Sequence, residues 1–192
     1  MSVARVEFAD QLAPTLFKRG PVALGPLLPQ DAGLMFVWMN DIEATSQDVP
    51  YRPMDGTAMS NWLATFTGDP TRVLFAIRVA GKPESAGFLL LSGINSTNRS
   101  CELGIRIGRE TDRNHGIGKA AVALGLAYAW DHLNLVRVHL RVMASNARAI
   151  RAYNAAGFAT EGVHKRAAFI AGNWHDMMTM AALNPGEAVT AG

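Results

Sequence analysis

The run Arg113-Asn114-His115-Gly116-Ile117-Gly118-Lys119 has the residue types and spacing of a phosphate-binding turn. It follows an alternating segment, 100–108, and precedes an amphipathic one, about 117–133. A strand, a glycine-rich turn and a helix start together make an anion site. The first-turn N–H groups lack intrahelical partners, and the helix dipole favours negative charge there. Gly116 and Gly118 allow the main chain to approach a phosphate with no Cβ between. A phosphorylated ligand is the expectation, and an ordinary strand-to-helix turn is the alternative. The run lacks Gly-x-x-x-x-Gly-Lys-Ser/Thr, so a nucleoside triphosphate loop is not supported, and its glycine spacing differs from the dinucleotide pattern. His115, His132, His139, His164 and His175 show no metal-ligand spacing, and no metal site is expected.

These residues need elements to position them. With 192 residues, the chain suits one well-cored domain. Half its residues are apolar and 18% are charged, which places it among globular proteins and not disordered ones. A net charge of +2, without a Lys/Arg run, argues against a dedicated nucleic-acid binder. The lone Cys101 excludes an internal disulfide and a cysteine zinc cluster. The first twenty residues mix charged and apolar side chains unlike a signal peptide, and no apolar run is long enough to span a bilayer. A cytoplasmic protein without membrane contact is the default expectation.

Residues 1–20 read as an N-terminal extension with one short helix, 21–184 as a single domain and 185–192 as a flexible tail. Within the domain, 22–28 reads as a first strand. Asp31 caps a helix to about Asn40 with Leu34, Val37 and Trp38 inward, and Asp55 or Thr57 caps a second helix to about Phe66. Strands are expected at 72–80, 85–94 and 100–108, then the helix after the glycine turn, with Val122, Leu126, Trp130 and Leu133 at helical spacing. A strand at 136–143 follows, then a helix starting at Ser145 or Asn146 and stopping near Gly157, and two closing strands, 158–170 and 174–183. This order describes a mixed α/β domain.

Three further pieces accompany the turn: Cys101-Glu102-Leu103-Gly104-Ile105-Arg106-Ile107 upstream, Asn146-Ala147-Arg148-Ala149-Ile150-Arg151-Ala152-Tyr153 downstream, and Gly157-Phe158. In this order and spacing, residues 85–183 resemble the GNAT superfamily of acetyl-CoA-dependent N-acetyltransferases. The likeness is greatest to the branch that acetylates ribosomal-protein N-termini, which the stretch Asp31…Trp38-x-Asn40-Asp41 also resembles. The resemblance implies a mixed, mostly antiparallel central sheet, splayed between its fourth and fifth core strands and flanked by helices. It implies acetyl-CoA as co-substrate, its pyrophosphate held by Arg113, Asn114, His115, Gly116, Ile117, Gly118 and Lys119. The pantetheine arm would pair with the backbone of Ile105, Arg106 and Ile107 as an added strand would. One N–H there would polarise the thioester carbonyl.

The resemblance also suggests how protons move. An attacking amine must be neutral, yet free amines have pKa values of roughly 8 to 10.4. Glu102, at the family's base position, would take the proton through a water. Its bland reading is a strand carboxylate paired with Arg106 or Arg141. Tyr153 would protonate the leaving thiolate, since a phenol of pKa about 10 is close to a thiol; otherwise it is a packed aromatic. Asn146 can cap its helix and also touch the cofactor. Cys101 faces away from Glu102 on the strand, which disfavours an acyl-cysteine route. The acceptor is a protein N-terminus or a small amine, meeting the 41–55 loop, with Glu43, Asp48 and Asp55, and the last strand pair, where Trp174 could reach it. A non-catalytic CoA-binding sensor or scaffold is the competing reading. An exposed edge strand near the C-terminus could support a homodimer.

Overall fold

In the computed structural model, which describes residues 17–42 and 51–187, the chain runs β1 (Phe17–Arg19), β2 (Val22–Gly25), α1 (Pro29–Asn40), α2 (Gly56–Ala64), β3 (Val73–Val79), β4 (Gly87–Asn95) and β5 (Ser100–Ile107). A single 3-10 turn (Glu110–Asp112) leads to α3 (Ile117–Asp131), β6 (Arg137–Met143), α4 (Ala147–Asn154), β7 (Ala159–Ile170) and β8 (Asn173–Leu183). The eight strands form one sheet in the order β1-β2-β3-β4-β5-β6-β8-β7. Every pairing is antiparallel except β5 with β6, which are joined by the α3 crossover. That parallel contact is brief: Ser100 pairs with Arg137, Cys101 with Val138 and Glu102 with His139. β5 then continues to Ile107 while β6 turns to β8 alone. The sheet is therefore mixed, mostly antiparallel and splayed at the expected place, between the fourth and fifth strands of the core that begins at β2.

Alternation along the strands builds two apolar layers. Leu89, Leu91, Cys101 and Leu103 face α3, where Ala121, Val122, Leu124, Leu126 and Ala129 are buried. Gly125 lets that helix lie close, because a Cβ there would come 2.9 Å from Leu89 Cδ1. On the other face, Phe88 packs with Met35, Trp38 and Met59 of α1 and α2. Helix α1 is tied to the sheet by a buried pair: Arg78 Nη1 donates to Asp31 Oδ1 at 2.8 Å and Arg78 Nη2 to Asp31 Oδ2 at 2.5 Å.

Several boundaries shift for identifiable reasons. The first core strand stops at Gly25 because Pro26 has no N–H to donate. Pro29 opens α1, as a fixed φ favours, so Asp31 lies inside the first turn and accepts the Leu28 N–H at 2.8 Å. Met35 and Trp38 are its inward residues, whereas Val37 is 62% exposed. Asp55 caps α2, accepting from Ala58 N at 2.7 Å. Residues 17–19 of the expected extension form a strand and not a helix. They pair with β2, and the Phe17 ring packs edge-on against Tyr128 and His132. Residues 1–16, 43–50 and 188–192, including Glu43 and Asp48, lie outside the described residues.

β7 closes the sheet with a long, mostly exposed strand whose ladder with β8 is interrupted twice, between Thr160 and Gly162 and between His164 and Ala168. Arg166 takes φ +50° in the second interruption. Among the described residues no helix is long and apolar enough to cross a membrane.

Candidate active site

A cleft opens where β5 and β6 part. Ile105, Arg106 and Ile107 line it from the strand, Asp112, Arg113, Asn114, Gly116, Gly118, Lys119 and Val122 from the turn and α3, and Asn146, Arg148, Ala149, Ala152 and Tyr153 from α4. The pieces that lie far apart in the chain thus meet at one place.

The strand wall follows from alternation. Gly108 N donates to Ala86 O on the β4 side at 2.9 Å. Arg106 carries its main-chain groups the same way, and those of Ile105 and Ile107 point into the cleft. β5 therefore offers the cleft the N–H and C=O of two residues, as an edge strand would. Arg106 differs from expectation: it lines the cleft, but its backbone belongs to the ladder with β4. Its Nη1 also donates to Trp38 O at 3.0 Å, linking the strand to α1.

The turn forms one end of the cleft. Asn114 has φ +66° and Gly116 φ +76°, a conformation that glycine adopts without strain. Gly116 is the N-cap of α3, and no side chain caps the helix, so the first amides remain available. The expected residues differ in how they take part. Ile117 buries its side chain in the core and could contribute only its main chain. The His115 ring is exposed, with Nδ1 2.8 Å from Arg113 O, and does not line the cleft. Arg113, Lys119 and Arg148 all line it, and among the described residues none has an ion-pair partner. Three cations around unused amides, with Ile105, Ile107, Val122, Ala149 and Ala152 forming an apolar strip beyond, suit a ligand that is anionic at one end and apolar along its arm.

Helix α4 supplies the opposite wall. Asn146 performs the capping role, its Oδ1 accepting from Ala149 N at 3.1 Å, while also lining the cleft. Gly157, at φ +102°, ends the helix, and Phe158 N returns to Tyr153 O at 3.1 Å. Tyr153 is half-buried, with its ring 5.8 Å from Phe158, and faces the cleft.

Glu102 stands at the last paired rung before the strands separate. Its exposed side chain shares the face of Gly104 and Arg106, opposite α3, and does not line the cleft. Among the described residues it has no ion pair, so the expected alternative pairing with Arg106 or Arg141 is not formed. Burial, reinforced by the Glu102 charge, pushes the Cys101 thiol up to about 12. A buried thiol held neutral is a poor nucleophile, which argues against an acyl-cysteine route.

Asp112, Val122, Arg148, Ala149 and Ala152 were not expected in the site. Arg148 had a signal, lying two residues after Asn146 within the motif. Val122, Ala149 and Ala152 follow from helical spacing once a neighbouring cleft residue is known. Asp112 had no signal, because its partner Lys82 is thirty residues away.

Comparison with known proteins bears on what such a cleft serves. The acetyltransferase (GNAT) domain profile matches residues 22–159. The chain is 33% identical over 97 residues to the spermidine N(1)-acetyltransferase of Escherichia coli (strain K12), covering 50% of this chain and 52% of that protein. It is 37% identical over 84 residues to the probable N-acetyltransferase YjcK of Bacillus subtilis (strain 168), covering 42% and 46%. The chain spans about half the length of the curated relatives it matches. The crystal structure of spermidine N-acetyltransferase from Vibrio cholerae in complex with CoA and spermine superposes with a TM-score of 0.78 at 24% identity, covering 86% of this chain and 96% of that one. At that identity the likeness is one of fold.

Proposed function

The chain belongs to the GNAT acetyltransferase family, and on that premise we propose that it transfers an acetyl group from acetyl-CoA to a small primary amine, within a complex that holds both substrates. The observation that carries this reading is the cleft itself: an uncapped helix start with three cations that have no ion pair among the described residues, strand amides at Ile105 and Ile107, and Tyr153 all open onto one space. The cations and amides would hold the diphosphate. Ile105 and Ile107 would align the acyl arm, and one of their N–H groups would polarise its carbonyl.

The amine arrives from the face of Glu102. Its nitrogen bonds to the acetyl carbon as the carbon–sulfur bond breaks. Glu102 receives the amine proton through a water, consistent with its place outside the cleft, and Tyr153 gives a proton to the departing thiolate. The small-amine acceptor is supported by the relatives, which act on spermidine where their names give a substrate. A protein N-terminus, the acceptor suggested by the ribosomal-protein branch, is the second arm of the test.

Acetyl-CoA-dependent thiol release, measured against polyamines, other small amines and N-terminal peptides, checks the proposal. Turnover with a small amine is expected. Turnover with peptides alone would move the acceptor to proteins. Tight acetyl-CoA binding with no turnover on any acceptor would favour the CoA-binding sensor.

A further inference from the structure

Among the described residues lining the cleft, Asp112 is the only acidic one. It is 3% exposed and directly precedes Arg113, so its charge lies at the end where a diphosphate would bind. A carboxylate there opposes an anion, and in a partly desolvated site that opposition is stronger than in water. Asp112 is paired with Lys82, whose side chain reaches it from the turn between β3 and β4. Gly81 at φ +79° and the bond from Lys82 N to Val79 O at 3.0 Å form that turn. Nearby, Glu84 and Arg109 join the same two segments by a second ion pair of reversed polarity, at the surface and outside the cleft. The segments thus have another tie, whereas the charge of Asp112 has one counterion among the described residues.

We infer that Lys82 is a positioning residue for phosphate binding: by neutralising Asp112 it leaves Arg113, Lys119 and Arg148 to act on the diphosphate of acetyl-CoA unopposed. This rests on the reading of the cleft as an acetyl-CoA site. Lys82 acts through Asp112 and has no part in the chemical step. Its effect is confined to ligands that carry the diphosphate, and it weakens with salt.

The test is calorimetric binding of acetyl-CoA and of S-acetylpantetheine, which has the same acyl arm without the diphosphate, at low and high salt. Lys82→Met should weaken acetyl-CoA about tenfold at low salt, equivalent to ~1.4 kcal/mol, and less at high salt. S-acetylpantetheine should bind as before. Lys82→Arg should retain acetyl-CoA affinity, Asp112→Asn added to Lys82→Met should restore it, and Glu84→Gln should leave it unchanged. Equal losses for both ligands, a loss that Asp112→Asn does not reverse, a matching loss in Glu84→Gln, or no loss at all would overturn the inference. If Lys82→Met does not fold, Asp112→Asn alone decides: tighter acetyl-CoA binding at low salt supports the inference, and unchanged or weaker binding overturns it. Failure of the unaltered protein to bind acetyl-CoA would overturn the acetyl-CoA reading and this inference together. Normal binding and turnover with an indifferent Lys82→Met would overturn this inference alone.

Discussion

Tyr153 and Glu102 are assigned opposite proton transfers, and each can be altered without emptying the cleft. Tyr153→Phe keeps the ring against Phe158 and removes only the hydroxyl. It is expected to bind acetyl-CoA within about threefold of the unaltered protein while turnover falls by roughly 10²–10⁴, read from steady-state thiol release. Glu102→Gln should move the pH optimum of turnover upward, since the amine must then lose its proton to solvent; an unchanged profile would remove Glu102 from the mechanism. Cys101 makes a prediction about stability. Its thiol is raised from 9.0 to about 12 in the folded chain, first by burial and then by the Glu102 charge. A raised value means the folded state holds the proton more tightly. The resulting stability is complete below pH 9 and is lost as pH climbs from there towards 12. Between pH 8.5 and 10.5, Cys101→Ala should therefore lose roughly 1–2 kcal/mol less than the unaltered protein in urea unfolding, with turnover retained.

At the scale of elements, the two turn glycines have different reasons to be glycine. Gly116 needs its left-handed backbone, so Gly116→Ala should cost about 1–2 kcal/mol in unfolding free energy. Gly118 has ordinary backbone, and a Cβ there would rest 3.7 Å from Ile107 Cγ1, a normal contact. Gly118→Ala should thus stabilise α3 by up to about 1 kcal/mol while weakening acetyl-CoA binding at least several-fold, because the added methyl would narrow the cleft that Gly118 lines. Thermal melting and calorimetry on the pair separate backbone need from ligand need. The same contrast explains what was legible in the sequence. The turn, the α3 start and the alternation of β5 are local, carried by residues within one or two turns of each other. Val37 was misplaced because Met35 and Trp38 satisfy the same helical period, and only packing against Phe88 decides between them. The Phe17–Arg19 strand has three residues and depends on β2 and Tyr128, neither of which local pattern can supply.

For the whole molecule, the tie between α1 and the sheet runs through Asp31 and Arg78. Both are almost wholly buried, and the carboxylate also holds the first turn of α1. Arg78→Met would leave that carboxylate buried without its cation. Unfolding stability should fall by about 3–5 kcal/mol, measured in urea, far more than for a surface pair such as Glu84–Arg109. Trp38, on the same helix, gives the tie a functional reach: its carbonyl accepts from Arg106, and it lies over Gly108, where a Cβ would come 2.0 Å from Trp38 Cε2. A loosened α1 therefore releases the end of β5 that lines the cleft.

The interrupted course of β7 has a different consequence. A long outer strand with unpaired main-chain groups is a template for runaway pairing between molecules, the first step towards insoluble aggregates. Here the two breaks in register and the left-handed kink at Arg166 divide that edge into short lengths, with Lys165 and Arg166 at the second break. The outermost strand can thus remain exposed without offering a neighbouring chain a straight run of hydrogen-bonding groups on which to grow.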